Sequence, residues 1–188
     1  CPEKWIMENT QVLIGLQKEY VAAGANILYA PTFTANRCKL KEYGLEGQLR
    51  QINAAMVAAS KEAAGGKALV AGDLTMTGEQ LAPIGSMDFE ELIDIYKEQI
   101  ACIEEAGADL LVVETMMSLQ ESRAALLAAK EICPDLPVMV TMTFEGDGRS
   151  LYGTDAATAA VVLESLGAAA IGANCSTGPE QMAGIIRQ

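Results

Sequence analysis

Two hydrophobic periodicities alternate along this chain. Short runs rich in aliphatic and β-branched residues recur at 26–33, 68–75, 109–115, 137–144 and 169–174. Runs of this length, bounded by turn-forming residues, predict buried strands. We therefore expect five strands separated by segments of helical period.

The segment between the second and third predicted strands shows the helical period most clearly. In residues 88–107, DFEELIDIYKEQIACIEEAG, apolar residues recur at the i, i+3, i+4, i+7 spacing of an amphipathic helix. One face of the predicted helix then carries Phe89, Leu92, Ile93, Tyr96, Ile100 and Ile103.

Capping residues mark the ends of the predicted helices. A capping side chain three residues before a glutamate is typical of a helix start, and it occurs in three pairs, Asp88 with Glu91, Ser118 with Glu121, and Thr177 with Glu180. Helix ends are predicted where a glycine that can adopt the left-handed conformation precedes a strand, at Gly24, Gly107 and Gly167.

Buried strands that alternate with helices indicate parallel β/α units, either closed into a barrel or open as a doubly wound sheet. The chain lacks the glycine pattern of a dinucleotide-binding turn, and Gly65-Gly66-Lys67 is followed by alanine, so it is not a P-loop. Polar residues gather at the predicted carboxyl ends of the strands, where barrel enzymes keep their chemistry. These are Thr32, Asp73, Glu114, Thr115, Thr141, Thr143, Asn174 and Cys175.

The pattern therefore favours an α/β fold of the (β/α)8 TIM-barrel type. A complete barrel of this type typically needs about 250 residues, whereas the chain has 188. The predicted elements are one helix, five strands with their helices, and a last helix. We expect residues 1–188 to form one partial domain, the central portion of such a barrel.

Composition narrows the class of partner. A formal charge of −12 and the absence of histidine argue against nucleic acid, which is bound through basic surfaces. Five scattered cysteines without a CxxC pair, and no apolar run long enough to cross a bilayer, predict a cytoplasmic protein with reduced thiols and no membrane contact. A small-molecule partner is expected, and its chemistry must use carboxylates, hydroxyls or thiolates.

Cys175 is open to two interpretations. It follows a predicted strand end and precedes a helix start, whose amides and dipole favour a thiolate. A free cysteine also packs as a small apolar residue. The second interpretation is preferred for Cys38, Cys102 and Cys133.

Two carboxylates stand at predicted strand ends. Glu114 closes the apolar run DLLVV, where burying an ionised carboxylate is costly without a cation or several donors. The cation is either a ligand ammonium group or an internal partner, for which Arg37 and Arg149 are available. Asp73, in GDLTMTG, is either a site residue or part of a turn that caps its own backbone.

Three stretches, TFTANRCKLKEYGL (32–45), MTF-x5-SLYGTD (142–155) and G-x-N-C-S-x-G-P (172–179), resemble the homocysteine S-methyltransferase family, including the homocysteine-binding domain of cobalamin-dependent methionine synthases. The resemblance implies a (β/α)8 barrel in which Cys175 is one of three thiolate ligands to zinc. The family's other two ligands form an adjacent cysteine pair, and this chain has no such pair.

The resemblance also implies the chemistry. Zinc binds the homocysteine sulfur and lowers the pKa of its thiol, and the thiolate then accepts a methyl group to give methionine. Glu114 would hold the amino group of the substrate, Thr115 and Asn174 would orient it, and we add Asp73 to the substrate-binding set. No residue of the chain is expected to act as a catalytic acid or base.

The donor implied by the resemblance is methylcobalamin on another domain, or a methylated sulfonium or ammonium compound in shorter relatives. Cobalamin- and folate-binding domains are the expected partners, and the chain alone is expected to be inactive.

Two alternative functions stay open. One is a barrel enzyme for a small anionic metabolite, although no lysine lies at a predicted strand end for Schiff-base chemistry; the other is a noncatalytic binding module of the same fold.

Overall fold

A computed structural model describes residues 1–188. Five parallel strands form one sheet, and all five predicted strands are present. Their observed bounds lie within the predicted runs or extend them by one residue. They are β1 Ile27–Ala30, β2 Leu69–Leu74, β3 Leu110–Met116, β4 Val138–Met142 and β5 Ala170–Ala173.

Eight α-helices and one short 3-10 helix, Glu46–Gln48, accompany the sheet. Two helices precede β1 where one was predicted, because the backbone at Asn9 leaves the helical conformation (φ −130°, ψ 37°) and divides the segment. No helix combines the length and the apolar character that crossing a membrane requires. The helices are α1 Pro2–Glu8, α2 Thr10–Ala22, α3 Arg37–Lys41, α4 Leu49–Ala64, α5 Phe89–Glu105, α6 Leu119–Ile132, α7 Ala156–Ser165 and α8 Pro179–Ile186.

The strand order distinguishes between the two folds that the sequence left open. Strands follow one another across the sheet as β1-β2-β3-β4-β5, in the order of the chain. A doubly wound sheet reverses its order at a switch point, whereas a β/α barrel adds each strand beside the last. The structure therefore has barrel-type topology over five strands.

The two faces of the sheet differ in what covers them. Val70 and Leu74 of β2 pack toward the helices in the main core, with Leu111 and Val113 of β3 beside them. Alternate residues point to the opposite, concave face, where Ala71, Leu110 and Val112 form a small apolar cluster. Leu69, at the start of the same face, is 51% exposed. The concave face therefore runs from apolar residues to the polar carboxyl ends of the strands.

The cap predictions had mixed outcomes. Ser118 caps α6, since its Oγ accepts a hydrogen bond from the Glu121 amide at 3.3 Å. Asp88 stands at the cap of α5 without a side-chain cap bond. The prediction for Thr177 was wrong, because Gly178 is the N-cap of α8. The predicted glycine ends are confirmed, with φ of 100°, 85° and 85° at Gly24, Gly107 and Gly167.

Helix α5 confirms the predicted amphipathic pattern and lies close to β2. Tyr96, Ile100 and Ile103 are fully buried on its inner face. At Gly72 of β2, a Cβ atom would overlap Ile103 Cγ2 and lie 3.2 Å from Leu111 Cδ2. The absence of a side chain at Gly72 is therefore what allows α5 to approach the sheet.

Gly72→Ala is expected to lower the free energy of unfolding by about 1–3 kcal/mol, the usual cost of overpacking a well-packed core. The matched control is Gly15→Ala in α2, where a Cβ meets no atom within 4 Å. That control is expected to stabilise the protein by up to about 1 kcal/mol through helix propensity. Urea denaturation measures both, and equal stabilities of the two variants would contradict the packing account.

Candidate functional site

Three strand ends meet where the sequence predicts a site. β4 pairs with β3 on one side and with β5 on the other, with Met142 opposite both Met116 and Ala173. The polar residues at the end of β3 and after β5 are therefore separated only by β4. This brings together Thr115, Asn174 and Cys175.

The end of β3 is irregular. Its register with β4 shifts between Val113 and Met116, and Thr115 has a φ of 59°. A β-branched residue in the left-handed region is a true outlier, and such strain costs about 1–3 kcal/mol and clusters at functional sites. The Thr115 amide donates to Thr141 Oγ1 at 3.3 Å, and Thr75 Oγ1 donates to the Glu114 carbonyl at 2.8 Å. These bonds hold the irregular backbone.

The segment after β5 repeats this conformation. Cys175 and Ser176 have φ of 61° and 55°. Asn174 Nδ2 donates to Thr115 Oγ1 at 2.8 Å and lies 3.4 Å from Cys175 Sγ, while Thr115 Oγ1 lies 3.8 Å from the same sulfur. The Cys175 thiol is therefore held against one hydroxyl and one amide.

Cys175 is the exposed cysteine of the chain. Cys102 and Cys133 are buried, and Cys133 follows α6 at the opposite end of the sheet, as predicted. Desolvation raises the pKa of the Cys133 thiol to about 11 and also raises the pKa of the thiols of Cys102 and Cys38. The packing interpretation is therefore supported for Cys102 and Cys133, whereas Cys38, in α3, is half-buried.

The donor set around Cys175 does not by itself make a zinc site. No group of three or more histidine, cysteine or acidic side chains is close enough to hold a metal ion. The nearest polar neighbours of the Cys175 sulfur are the amide of Asn174 and the hydroxyl of Thr115, whereas structural and catalytic zinc sites use three or four thiolate, imidazole or carboxylate ligands. This chain therefore offers a single soft ligand.

Glu114 is half-buried and has no cationic partner. None of the ion pairs in the structure includes it. The alternative of an internal pair with Arg37 or Arg149 is wrong, because Arg37 pairs with Glu91 and Glu98, and Arg149 lies beside Asp155. Desolvation raises the pKa of the Glu114 carboxyl.

Asp73 lies near Glu114 on the concave face and is only 6% exposed. Its Oδ1 atom is buried without a hydrogen-bond partner. Burial and the nearby Glu114 charge raise the pKa of Asp73 to about 8, and the Leu74 amide opposes this increase. An oxygen without a partner is not explained by a turn that caps its own backbone.

Sequence reasoning missed Tyr29, which belongs to the same acidic cluster. It lies on β1 opposite Ala71, and partial burial followed by the charges of Glu114 and Asp73 raises the pKa of its phenol. In the sequence it looks like one more residue of an apolar run. The association with Asp73 is visible only in the structure, where Tyr29 lies opposite Ala71, two residues before Asp73 on β2.

Glu121 was predicted only as part of a capping pair, yet it is almost fully buried. Its Oε1 accepts hydrogen bonds from the Thr77 amide (2.6 Å), Thr77 Oγ1 (2.8 Å) and the Tyr96 hydroxyl (3.0 Å). Desolvation raises the pKa of Glu121, and these donors oppose the increase. The carboxylate joins the loop after β2 to α6, which is a structural role.

Comparison with models of known protein families assigns this chain to a family. A family model described as homocysteine S-methyltransferase matches residues 1–188. The chain belongs to the homocysteine S-methyltransferase family. Membership of this family excludes the alternative of an unrelated barrel enzyme for anionic metabolites.

Individual relatives show how much of a larger protein this chain matches. It is 30% identical over 197 residues to a methionine synthase of Mycobacterium leprae and 28% identical to one of Mycobacterium tuberculosis. In each case the match covers 100% of this chain and 16% of the relative. The chain therefore spans about a sixth of the length of these curated relatives.

Solved structures show the same fold. The metallated form of the homocysteine methyltransferase MmuM from Escherichia coli has a TM-score of 0.83 and 20% identity, covering 98% of this chain and 69% of that one. Its apo form has a TM-score of 0.79 and covers 99% of this chain. At this identity the likeness establishes the fold alone, which agrees with an incomplete barrel.

Cys175 is expected to react with a thiol reagent faster than Cys102 or Cys133, because it is exposed and burial disfavours the thiolates of the other two. Stopped-flow labelling of the folded chain with a disulfide reagent measures the rates. Cys175→Ser should remove the fastest phase, while Cys102→Ser should leave it. Labelling of Cys102 or Cys133 at a rate equal to or above that of Cys175 would contradict the placement.

Asp73→Asn is expected to raise the free energy of unfolding near pH 8. The folded pKa is raised from 3.8 to about 8, so the stability associated with the bound proton is complete below about pH 3.8 and is lost as the pH rises to about 8. Asparagine does not titrate, so the variant keeps this stability at pH 8. A difference of one pKa unit between the folded and unfolded states corresponds to about 1.4 kcal/mol of stability. Urea denaturation from pH 5 to 8 tests it; a variant less stable than the parent at pH 8 would contradict the account.

Proposed function

We propose that this chain is the homocysteine-binding portion of a methyltransferase that converts L-homocysteine to L-methionine. The observation that carries the proposal is the combination, on one sheet edge, of an exposed thiol at Cys175 and an unpaired carboxylate at Glu114. Homocysteine carries the complementary groups, a sulfur at one end and an ammonium group at the other. Membership of the homocysteine S-methyltransferase family supports this pairing.

The amino-acid end of the substrate lies against the acidic cluster in this proposal. Glu114 accepts hydrogen bonds from the ammonium group, because the ionised carboxylate has no other cation. A charge-assisted bond of this kind is stronger than a neutral one. Asp73, on the neighbouring strand, lines the same end.

The sulfur end lies toward Cys175. Asn174 and Thr115 hold the Cys175 side chain through the 2.8 Å bond between them and their contacts with its sulfur. Cys175 supplies one thiolate ligand, and the remaining zinc ligands come from residues outside this chain. Zinc, when bound, lowers the pKa of the substrate thiol so that thiolate is available near neutral pH.

The methyl donor in this proposal is methylcobalamin carried on another domain, with cobalamin- and folate-binding domains as partners in the cytoplasm. The similarity to methionine synthases many times longer than this chain supports it. The chain alone is then inactive, because it lacks both a complete set of zinc ligands and a donor. The alternative is a noncatalytic module of the same fold. Such a module would bind neither zinc nor homocysteine, even as part of a longer protein.

Glu114→Gln, in a protein with the complete zinc ligand set, is expected to weaken L-homocysteine binding by about 1.5–3 kcal/mol, the usual value of a hydrogen bond to a charged group. Zinc content should not change, because Glu114 does not contact Cys175. Glu164→Gln on the exposed face of α7 is the matched control and should bind normally. Unchanged affinity of the Glu114 variant in calorimetry would return this residue to a structural role.

Zinc content tests the thiolate assignment. The 188-residue chain is expected to purify with essentially no stoichiometric zinc, because one thiolate cannot retain the metal against water and buffer. In a protein with the complete ligand set, Cys175→Ala should abolish zinc retention and turnover, while Cys38→Ala should preserve both. Elemental analysis decides: a full zinc equivalent in the chain alone, or in the Cys175 variant, would overturn the assignment.

A further inference from the structure

Asp73 has a feature that the proposed zinc and thiol chemistry does not use. Only 6% of this residue is exposed, and its Oδ1 atom has no hydrogen-bond partner. A buried carboxylate normally carries several donors or a cation, because an uncompensated charge in a protein interior is very costly. The Leu74 amide offsets part of this cost, and a proton or a ligand cation would compensate the rest.

The neighbours of Asp73 on each side lack a positive charge. On β3, Val112 is directly opposite Asp73 and Glu114 is two residues further along, at a diagonal position that long side chains span. On β1, Tyr29 is opposite Ala71 and therefore flanks Asp73 on the other side. Both neighbours are acidic groups whose ionisation opposes that of Asp73.

We propose that Asp73 is a protonated carboxyl group in the empty site and releases this proton to solvent when the ammonium group of the amino-acid substrate binds beside Glu114. This inference rests on the proposed function and adds to it the charge balance of binding. One ammonium group enters and one proton leaves, so the positive charge beside Glu114 is exchanged and not added to. Asp73 is thereby a specificity residue, because a ligand without the ammonium group cannot replace the proton.

The exchange has a defined pH dependence. The pKa of Asp73 is about 8 in the empty site, and an adjacent ammonium group lowers it. Above about pH 8 the proton has already left, so amino-acid affinity is highest there. Below that pH, binding must expel the proton, and affinity falls by up to about tenfold for each pH unit.

L-Methionine is the suitable probe, because it keeps the ammonium group and has no thiol that titrates. Calorimetry with the 188-residue chain in two buffers of different protonation enthalpy counts the protons released on binding between pH 6 and 8. The comparison ligand is 2-hydroxy-4-(methylthio)butanoate, in which a hydroxyl replaces the ammonium group. Asp73→Asn is the test variant, and Asp135→Asn, in the exposed turn between α6 and β4, is the matched control.

The inference predicts release of close to one proton per L-methionine at pH 6.5, little or no release with the hydroxy analogue, and loss of the release in Asp73→Asn but not in Asp135→Asn. A merely structural Asp73 would leave the proton count of its variant unchanged. L-Methionine binding without proton release, or with release that persists in Asp73→Asn, would overturn the inference and leave the amino-acid site standing. Failure of L-methionine to bind this chain, together with failure of L-homocysteine to bind a protein with the complete zinc ligand set, would instead overturn the proposed function, and the inference with it.

Discussion

The left-handed backbone at Thr115 is the constraint on which the arrangement of the site depends. β3 is regular as far as Val113 and then shifts register against β4 before Met116. An irregularity of this kind re-aims side chains at a strand end. Here it places the Thr115 hydroxyl where Asn174 donates to it at 2.8 Å and where Cys175 approaches it. The strained backbone is held by the bond that the Thr115 amide donates to Thr141 of β4 and by the bond that Thr75, just after β2, donates to the Glu114 carbonyl.

In the proposed site, electrostatics favour a cationic group. A chain of net charge −12 concentrates Asp73 and Glu114 on one face beside the phenol of Tyr29. Burial and mutual repulsion make this arrangement costly while the site is empty, which is typical of functional sites that sacrifice stability. An ammonium group would reduce the cost, so in the proposed function the groups that destabilise the empty fold favour amino-acid binding.

Much of the fold could be predicted from the sequence, because strand and helix periods differ and glycines mark the helix ends. Glu114 and Cys175 were visible as polar residues that end apolar runs. Distances between strands were not visible, so the register shift at Thr115, the unpaired oxygen of Asp73 and the association of Tyr29 were missed. The helix start predicted at Thr177 failed because Gly178, which precedes Pro179, adopts the cap conformation instead.

The central claim is that homocysteine binds at the carboxyl ends of these strands, between the acidic cluster and Cys175. Amide chemical shifts of the isotope-labelled chain, followed during titration with L-homocysteine, test it most directly. The account predicts saturable shifts at residues 114–117 and 174–177, with little change at Asp135 and Leu136, which lie at the opposite end of the sheet. Shifts confined to that opposite end, or none at any concentration, would contradict it.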